Sequence, residues 1–202
     1  MTGYHLARGS RLVIATHNAN KLEEFSNLIA PFGITVVSSG DLGLPEPEET
    51  AKTFAGNATI KAQAAAFATN LPALADDSGL CVAALNGAPG IYSSRWTGPN
   101  KDFTAAMRHI NYFTRDEDPT AWFICVLCLA LPSGQTWCFE GRIDGEIVWP
   151  PRGDHGHGYD PIFQPKGATQ TLAEMTSAQK NSISHRAQAF NAFRTSCLEP
   201  YP

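Results

Sequence analysis

The sequence lacks any run approaching the roughly 18 consecutive apolar residues of a membrane-spanning helix, so no membrane partner is expected. Its opening residues, MTGYHLARGSRLVIAT, lack the apolar stretch and small-residue cleavage site of a secretory signal, and a cytoplasmic location is the expectation. Cysteine is scarce: there are 5, an odd number that leaves one thiol outside any pairing scheme. Cys81, Cys125, Cys128 and Cys138 sit in apolar or aromatic surroundings and read as buried, reduced thiols. Cys125 and Cys128 form a CxxC pattern, but within FICVLCLAL, a strand pattern. Positions three apart on a strand face opposite ways, which is poor geometry for a shared metal. Basic residues are also few. With 15 Lys and Arg against 19 Asp and Glu, net charge −4 and pI near 5.8, no broad nucleic-acid surface is expected. A small polyanionic ligand would need a local cluster of cations, a metal ion, or both. No GxxxxGK[ST] loop, repeat or low-complexity tract is present.

What is there suits one α/β domain over residues 1–202, with one sizeable core in two lobes that are not independent domains: 202 residues, 43% of them hydrophobic. Arg11–Ala15 reads as a strand and Lys21–Ala30 as a helix with Leu22, Phe25, Leu28 and Ile29 on one face. Gly33 stops it, and Ile34–Ser38 is a second strand. After a Gly, Pro and Glu-rich loop, an Ala-rich helix is expected over Thr53–Thr69. Leu74–Ala75 reads as a strand ending at Asp76-Asp77, with Cys81–Leu85 a separate short one. A helix from Asp102 to Phe113 precedes a strand at Trp122–Leu131, then a turn and a strand at Gln135–Glu140. GRIDGEIV suggests another short strand, and the C-terminal third reads as helical, with Ser184 capping a helix to about Cys197. The sheet is expected to be mixed rather than purely parallel.

Five stretches carry polar groups that could do chemistry. Thr16–Lys21 (THNANK) joins the first strand to the first helix, where free N–H groups, Thr16, Asn18 and Lys21 would suit phosphate. Asp76 and Asp77 are candidates for a hard-metal ligand and a general base. Glu46, Glu48 and Glu49 lie in a proline-stiffened loop. GHGYDP, residues 156–161, sets two rings and an acid between glycines, as a wall for a planar ligand would require. His155 and His157 form an HxH, but no Cys, Asp or Glu set at zinc spacing accompanies them. Lys180, His185 and Arg186 cluster near a helix start, where the helix dipole disfavours cations and an anionic partner would offset the mismatch. Each stretch alone also reads as an ordinary cap, turn or solvated loop. Together they meet the needs of a nucleoside triphosphate: phosphate donors, a hard metal, a base and a flat wall.

These residues resemble the inosine triphosphate pyrophosphatase family over roughly residues 11–197. The motifs run in order as ATHNANKLEE, ETAKTFAGNATIKA, LADDSGL, LNGAPGIYSSRW, GYDPIF and AEMTSAQKNSISHR. The resemblance implies a long central mixed sheet with helices, two lobes flanking a nucleotide-binding cleft, and a homodimer. It also implies Mg²⁺-dependent hydrolysis of ITP, dITP and XTP to the monophosphate and pyrophosphate, clearing deaminated purines from the nucleotide pool. By the same resemblance, Thr16, His17, Asn18, Ala19, Asn20 and Lys21 hold the phosphates and Asp77 activates water. Asp77 with Glu48 or Glu49 meets the metal, Glu49 being favoured by its spacing to Lys61. Ser78, His157, Gly158, Tyr159, Asp160, Lys180, His185 and Arg186 contact the nucleotide, and Lys61 and Arg95 are further phosphate ligands. Two features depart from the pattern: many members carry glycines where this chain has His17 and Asn20, and Phe where it has His157. A related pyrophosphatase for another nucleotide, a non-catalytic nucleotide-binding module and a zinc hydrolase at His155 and His157 are the competing readings.

Overall fold

A computed structural model describes residues 4–198, apart from the side chain of Asn20. Among these residues six strands form one sheet: β1 (Arg11–Ile14), β2 (Thr35–Ser38), β3 (Ala73–Val82), β4 (Thr120–Ala130), β5 (Thr136–Ile147) and β6 (Phe163–Pro165). Their order across the sheet is β2-β1-β3-β4-β5-β6. β1 pairs in parallel with both β2 and β3, while β5 and β6 are antiparallel, so the sheet is mixed as expected. The α-helices are α1 (Ala19–Ile29), α2 (Phe54–Thr69), α3 (Phe103–Thr114), α4 (Ser177–Ile183) and α5 (His185–Cys197). No helix among the described residues is long and apolar enough to cross a membrane.

Local chemistry sets most of these boundaries. Thr53 caps α2, its Oγ1 accepting from the Gly56 N–H at 3.1 Å, and Asn70 ends the helix in the left-handed conformation. The Asp102 carboxylate accepts from Ala105 N–H at 2.9 Å, and Ser184 Oγ from Ala187 N–H at 3.2 Å. Thr176 and Gln179 form a reciprocal capping box on α4.

Three expectations change. β3 is one ten-residue strand that runs straight through Asp76, Asp77, Ser78 and Gly79, rather than stopping at the acids. Side-chain partners elsewhere in the chain satisfy the carboxylates, so they do not terminate the ladder. β5 likewise joins Gln135–Glu140 and GRIDGEIV into one strand, its burial alternating across Gly141 and Ile143. At Gly145 a Cβ would lie 2.3 Å from the Gln164 carbonyl oxygen, so this mid-strand glycine marks the close approach of β6 and not a break. Finally, Phe25 and Ile29 of α1 are buried, whereas Leu28 is 38% exposed.

The chain divides into two compact units. One comprises the residues up to Asp77, Val126–Glu140 and those from Ala189 on; the other comprises Ser78–Cys125 and Gly141–Gln188. The first unit buries Leu12, Val13 and Ile14 of β1 with Phe25, Ile29 and a row of α2 alanines (Ala58, Ala62, Ala65, Ala66). Small side chains let α2 come close to β1, which matters because α2 carries polar groups described below. The second unit gathers Leu80, Val82, Met107, Ile110, Phe123 and Phe163 into its own core.

Candidate active site

In the first unit, Asp76 and Asp77 occupy successive positions of β3 and their side chains diverge to different partners. Asp76, 4% exposed, takes the Lys21 ammonium on both oxygens, at 2.9 and 2.7 Å. Lys21 stands in the first turn of α1, so the loop expected to hold phosphate reaches the aspartate pair directly. That loop is internally tied: Asn18 N–H donates to Thr16 Oγ1 at 3.1 Å, and Lys21 N–H to Asn18 Oδ1 at 3.3 Å. The exposed His17 ring donates from Nε2 to the Leu44 carbonyl at 2.8 Å, which pins the loop to the Pro-rich segment. Ala19 opens α1 and is exposed, and Asn20 follows it in the helix.

Asp77, 8% exposed, accepts a hydrogen bond from Asn57 Nδ2 at 3.2 Å. Asn57 is fully buried in α2, and its Oδ1 accepts from the Ala51 N–H at 3.0 Å, so it braces the acid against the chain leading into the helix. One turn further along α2, Lys61 bonds Glu49 Oε1 at 2.7 Å. Burial raises the Asp77 carboxyl to about 6; Lys61 opposes that rise, Glu49 adds to it, the Asn57 bond opposes it and Asp76 adds to it. Burial pulls the Lys61 ammonium down, but Asp76, Glu49 and Asp77 outweigh it and hold the group above its ordinary value. The result is a carboxylate poised near neutrality beside the Lys61 ammonium, the combination suited to taking a proton near polyanionic substrate.

Among the acids of the 46–49 loop, Glu49 is the one joined to this cluster, while Glu48 is exposed. No three His, Cys, Asp or Glu side chains among the described residues converge as a ready metal shell. A Mg²⁺ ion takes one or two carboxylates and completes its shell with phosphate and water, so Asp77 and Glu49 fit that chemistry.

The second unit begins at Ser78, half-buried in β3 directly after Asp77. Within it, the 156–160 turn is built on Asp160, 3% exposed, which accepts from the His157 N–H at 2.7 Å and pairs with Lys180. Gly156 has φ +82, and a Cβ there would meet the Asp160 carboxylate at 2.2 Å, so only glycine lets the turn close on the acid. Gly158 separates the two rings, which have different fates. His157 is exposed, but Tyr159 is 3% exposed, edge-on to Phe103 at 5.3 Å, with its OH donating to the Ser93 carbonyl at 2.8 Å. Tyr159 therefore serves the core, and the aromatic wall read from GHGYDP reduces to His157.

Lys180 also corrects an expectation: it lies in the last turn of α4, where the helix dipole favours a cation, and its pairing with Asp160 links α4 to the turn. His185 opens α5, buried and stacked on Phe123 with ring centroids 4.9 Å apart and planes 9° apart. Arg186 follows it, half-buried, and Arg95 lies over the Tyr92 ring at 5.2 Å. His155 and His157 join no three-residue metal group among the described residues. Replacing Asp160 with Ala should leave Lys180 without its carboxylate and the His157 N–H without its acceptor. A loss of about 1.5–3 kcal/mol in urea unfolding is expected, and an unchanged midpoint would refute that role for Asp160.

The chain is similar throughout its length to proteins already described. The model of the Ham1 family matches residues 12–196. A protein of Gluconobacter oxydans named dITP/XTP pyrophosphatase is 56% identical over 195 residues, covering 96% of this chain and 94% of its own. One of Caulobacter vibrioides with the same name is 50% identical, covering 95% and 100%. Among solved structures, the Staphylococcus aureus Ham1 protein superposes with a TM-score of 0.85 at 39% identity, covering 92% of this chain and 96% of that one.

Proposed function

The chain belongs to the Ham1 family, and from that premise we propose that it hydrolyses dITP, XTP and ITP to the nucleoside monophosphate and pyrophosphate. The observation that carries the reading is Asp77: a buried carboxylate, raised to about 6, flanked by Lys61 and braced by Asn57. In the proposed reaction Asp77 takes the proton of the attacking water as the bond between the α- and β-phosphates breaks. Lys21 and Lys61 supply positive charge, and the Thr16–Lys21 loop supplies N–H and hydroxyl donors for the phosphates. Asp77 and Glu49 are the residues that would hold Mg²⁺, which when bound neutralises the triphosphate and polarises its phosphoryl oxygens. Ser78, His157, Lys180, His185 and Arg186 are assigned to the nucleoside side of the substrate.

Selectivity is assigned to purine position 6, where ITP and XTP offer a carbonyl acceptor and ATP an amino donor. Donors aimed there are left unpaired by ATP, costing about 1–3 kcal/mol per buried group, or about 5–150-fold. The reading also takes the enzyme as a cytoplasmic homodimer. A panel of ITP, XTP, dITP, ATP and GTP, with and without Mg²⁺ and with pyrophosphate detection, tests it. Mg²⁺-dependent pyrophosphate release favouring the three deaminated nucleotides over ATP is expected. Release of orthophosphate, or equal rates with ATP, would overturn the proposal.

A further inference from the structure

All five cysteines are free thiols, and the sequence pattern directs attention to the wrong pair. Cys125 and Cys128 belong to one strand and face opposite ways, whereas Cys128 finds its neighbour on the next strand. The Leu131 N–H bonds the Gln135 carbonyl at 2.9 Å across the turn that joins β4 to β5, which are adjacent in the sheet. Counting three residues back from Leu131 and three on from Gln135 sets Cys128 opposite Cys138. The side chains agree: Thr59 Oγ1 on α2 lies 3.3 Å from Cys128 Sγ and 3.5 Å from Cys138 Sγ, so one hydroxyl touches both thiols. Directly opposed residues on antiparallel strands have Cα atoms about 4.5–5.5 Å apart, within the roughly 4.4–6.8 Å range a disulfide spans.

The two thiols differ in character. Cys128 is fully buried, while Cys138 is exposed, contrary to the buried thiol its surroundings suggested. The neighbouring Cys128 thiol lowers Cys138 below its ordinary value; burial opposes that, and the Thr59 hydroxyl assists. The same contact pushes Cys128 up. Cys81, also buried, is raised instead and has no such partner. Exposure and thiolate character mark a nucleophile, and the buried neighbour marks a resolving thiol.

We propose that Cys128 and Cys138 form a dithiol that oxidises reversibly to a cross-strand disulfide, with Cys138 as the reactive sulfur. With hydrogen peroxide as oxidant, the Cys138 thiolate attacks one peroxide oxygen, giving a sulfenic acid and releasing hydroxide. The Cys128 sulfur then attacks the Cys138 sulfur, and its proton leaves with the displaced hydroxyl as water. Two thiols and one peroxide become one disulfide and two waters. A thiol reductant reverses the step. Oxidation removes both thiols from Thr59, which sits on α2 between Asn57 and Lys61, the residues that hold Asp77 and Glu49.

The test uses the full chain treated with stoichiometric hydrogen peroxide, trapped with iodoacetamide, digested without reductant and read by mass spectrometry. A linked peptide pair carrying Cys128 and Cys138, lighter by two hydrogens and abolished by dithiothreitol, is expected. Before oxidation, Cys138 should be alkylated at pH 7 at least about tenfold faster than Cys128. In Cys138→Ser no linked pair should form. In Cys128→Ser, Cys138 should halt as a sulfenic acid trapped by dimedone. Near-ultraviolet spectra of both variants check that each remains folded. Recovery of both cysteines as alkylated thiols after peroxide treatment, or Cys138 linked to a second chain instead of Cys128, would overturn the proposal.

Discussion

Replacing Asp77 with Asn should lower turnover of XTP and dITP by about 10²–10⁴-fold and at the same time make the metal-free protein harder to unfold. The two effects share one cause. Asn has nearly the shape of Asp and keeps an acceptor for Asn57 Nδ2, so packing around residue 77 is preserved. What disappears is the charge, and with it both the proton acceptor and the penalty of burying a carboxylate. That penalty has a definite pH signature. The folded-state value near 6 lies above the ordinary 3.8, so the folded chain binds this proton more tightly than the unfolded chain. Below about pH 4 the residue is protonated in both states and costs nothing extra. Stability is then lost as pH rises from about 4 to about 6, and the full penalty, on the order of 3 kcal/mol, is present above that. Melting curves in chelator should therefore superimpose for parent and variant near pH 4 and separate by several degrees at pH 8, the variant melting higher. Equal melting temperatures at both pH values would remove the buried-charge account, and near-parental turnover would remove Asp77 as the base.

The chain's local grammar was readable from sequence, and its long-range pairings were not. The caps at Asp102 and Ser184, the Ala-rich helix ending at Thr69 and the Gly-containing turn after Leu131 depend on neighbours within a few residues, and those elements stand where expected. The aspartate pair looked like the end of a strand because two adjacent acids oppose continued burial. β3 continues because Lys21, 55 positions away, and Asn57, 20 away, accept the task of satisfying them. Asn57 was missed altogether. Its signal was present: an amide inside an otherwise Ala-rich helix, poor in helix propensity and therefore in need of another reason to be there. Lys180 was misread for a related reason, since its helix is short and the residue falls in the last turn rather than near a start. The aromatic pair of GHGYDP could not be divided from sequence, because only the core decides that Tyr159 turns inward while His157 stays exposed. The same holds for the thiols: CxxC is visible in one segment, but the juxtaposition of Cys128 and Cys138 at Thr59 exists only once two strands lie side by side.

The other large effect is expected at Lys61. It is 12% exposed on its side chain, bonds Glu49, and offsets the charges of Asp76 and Asp77. Lys61→Met keeps most of the aliphatic stem and removes the ammonium, so little packing is lost. Three carboxylates then share a buried region in which Lys21 remains engaged with Asp76, leaving Glu49 and Asp77 without the cation that offset them. Removing one partner of a buried ion pair costs about 3–5 kcal/mol, mostly through the charge left behind. Lys61 is the principal influence lowering Asp77, so in the variant the Asp77 carboxyl rises further. Protonation then relieves the site, and the deficit in urea unfolding should be large at pH 8 and much smaller at pH 5. Adding Asp77→Asn to Lys61→Met should recover part of the loss, because one of the stranded charges is gone. The combined cost would then fall short of the sum of the two separate changes by more than about 0.5 kcal/mol. A deficit equal at pH 5 and pH 8, together with strict additivity in the double variant, would mean that Lys61 acts through packing alone. The reading of α2 as the helix that carries the counter-charge for Asp77 would then fail.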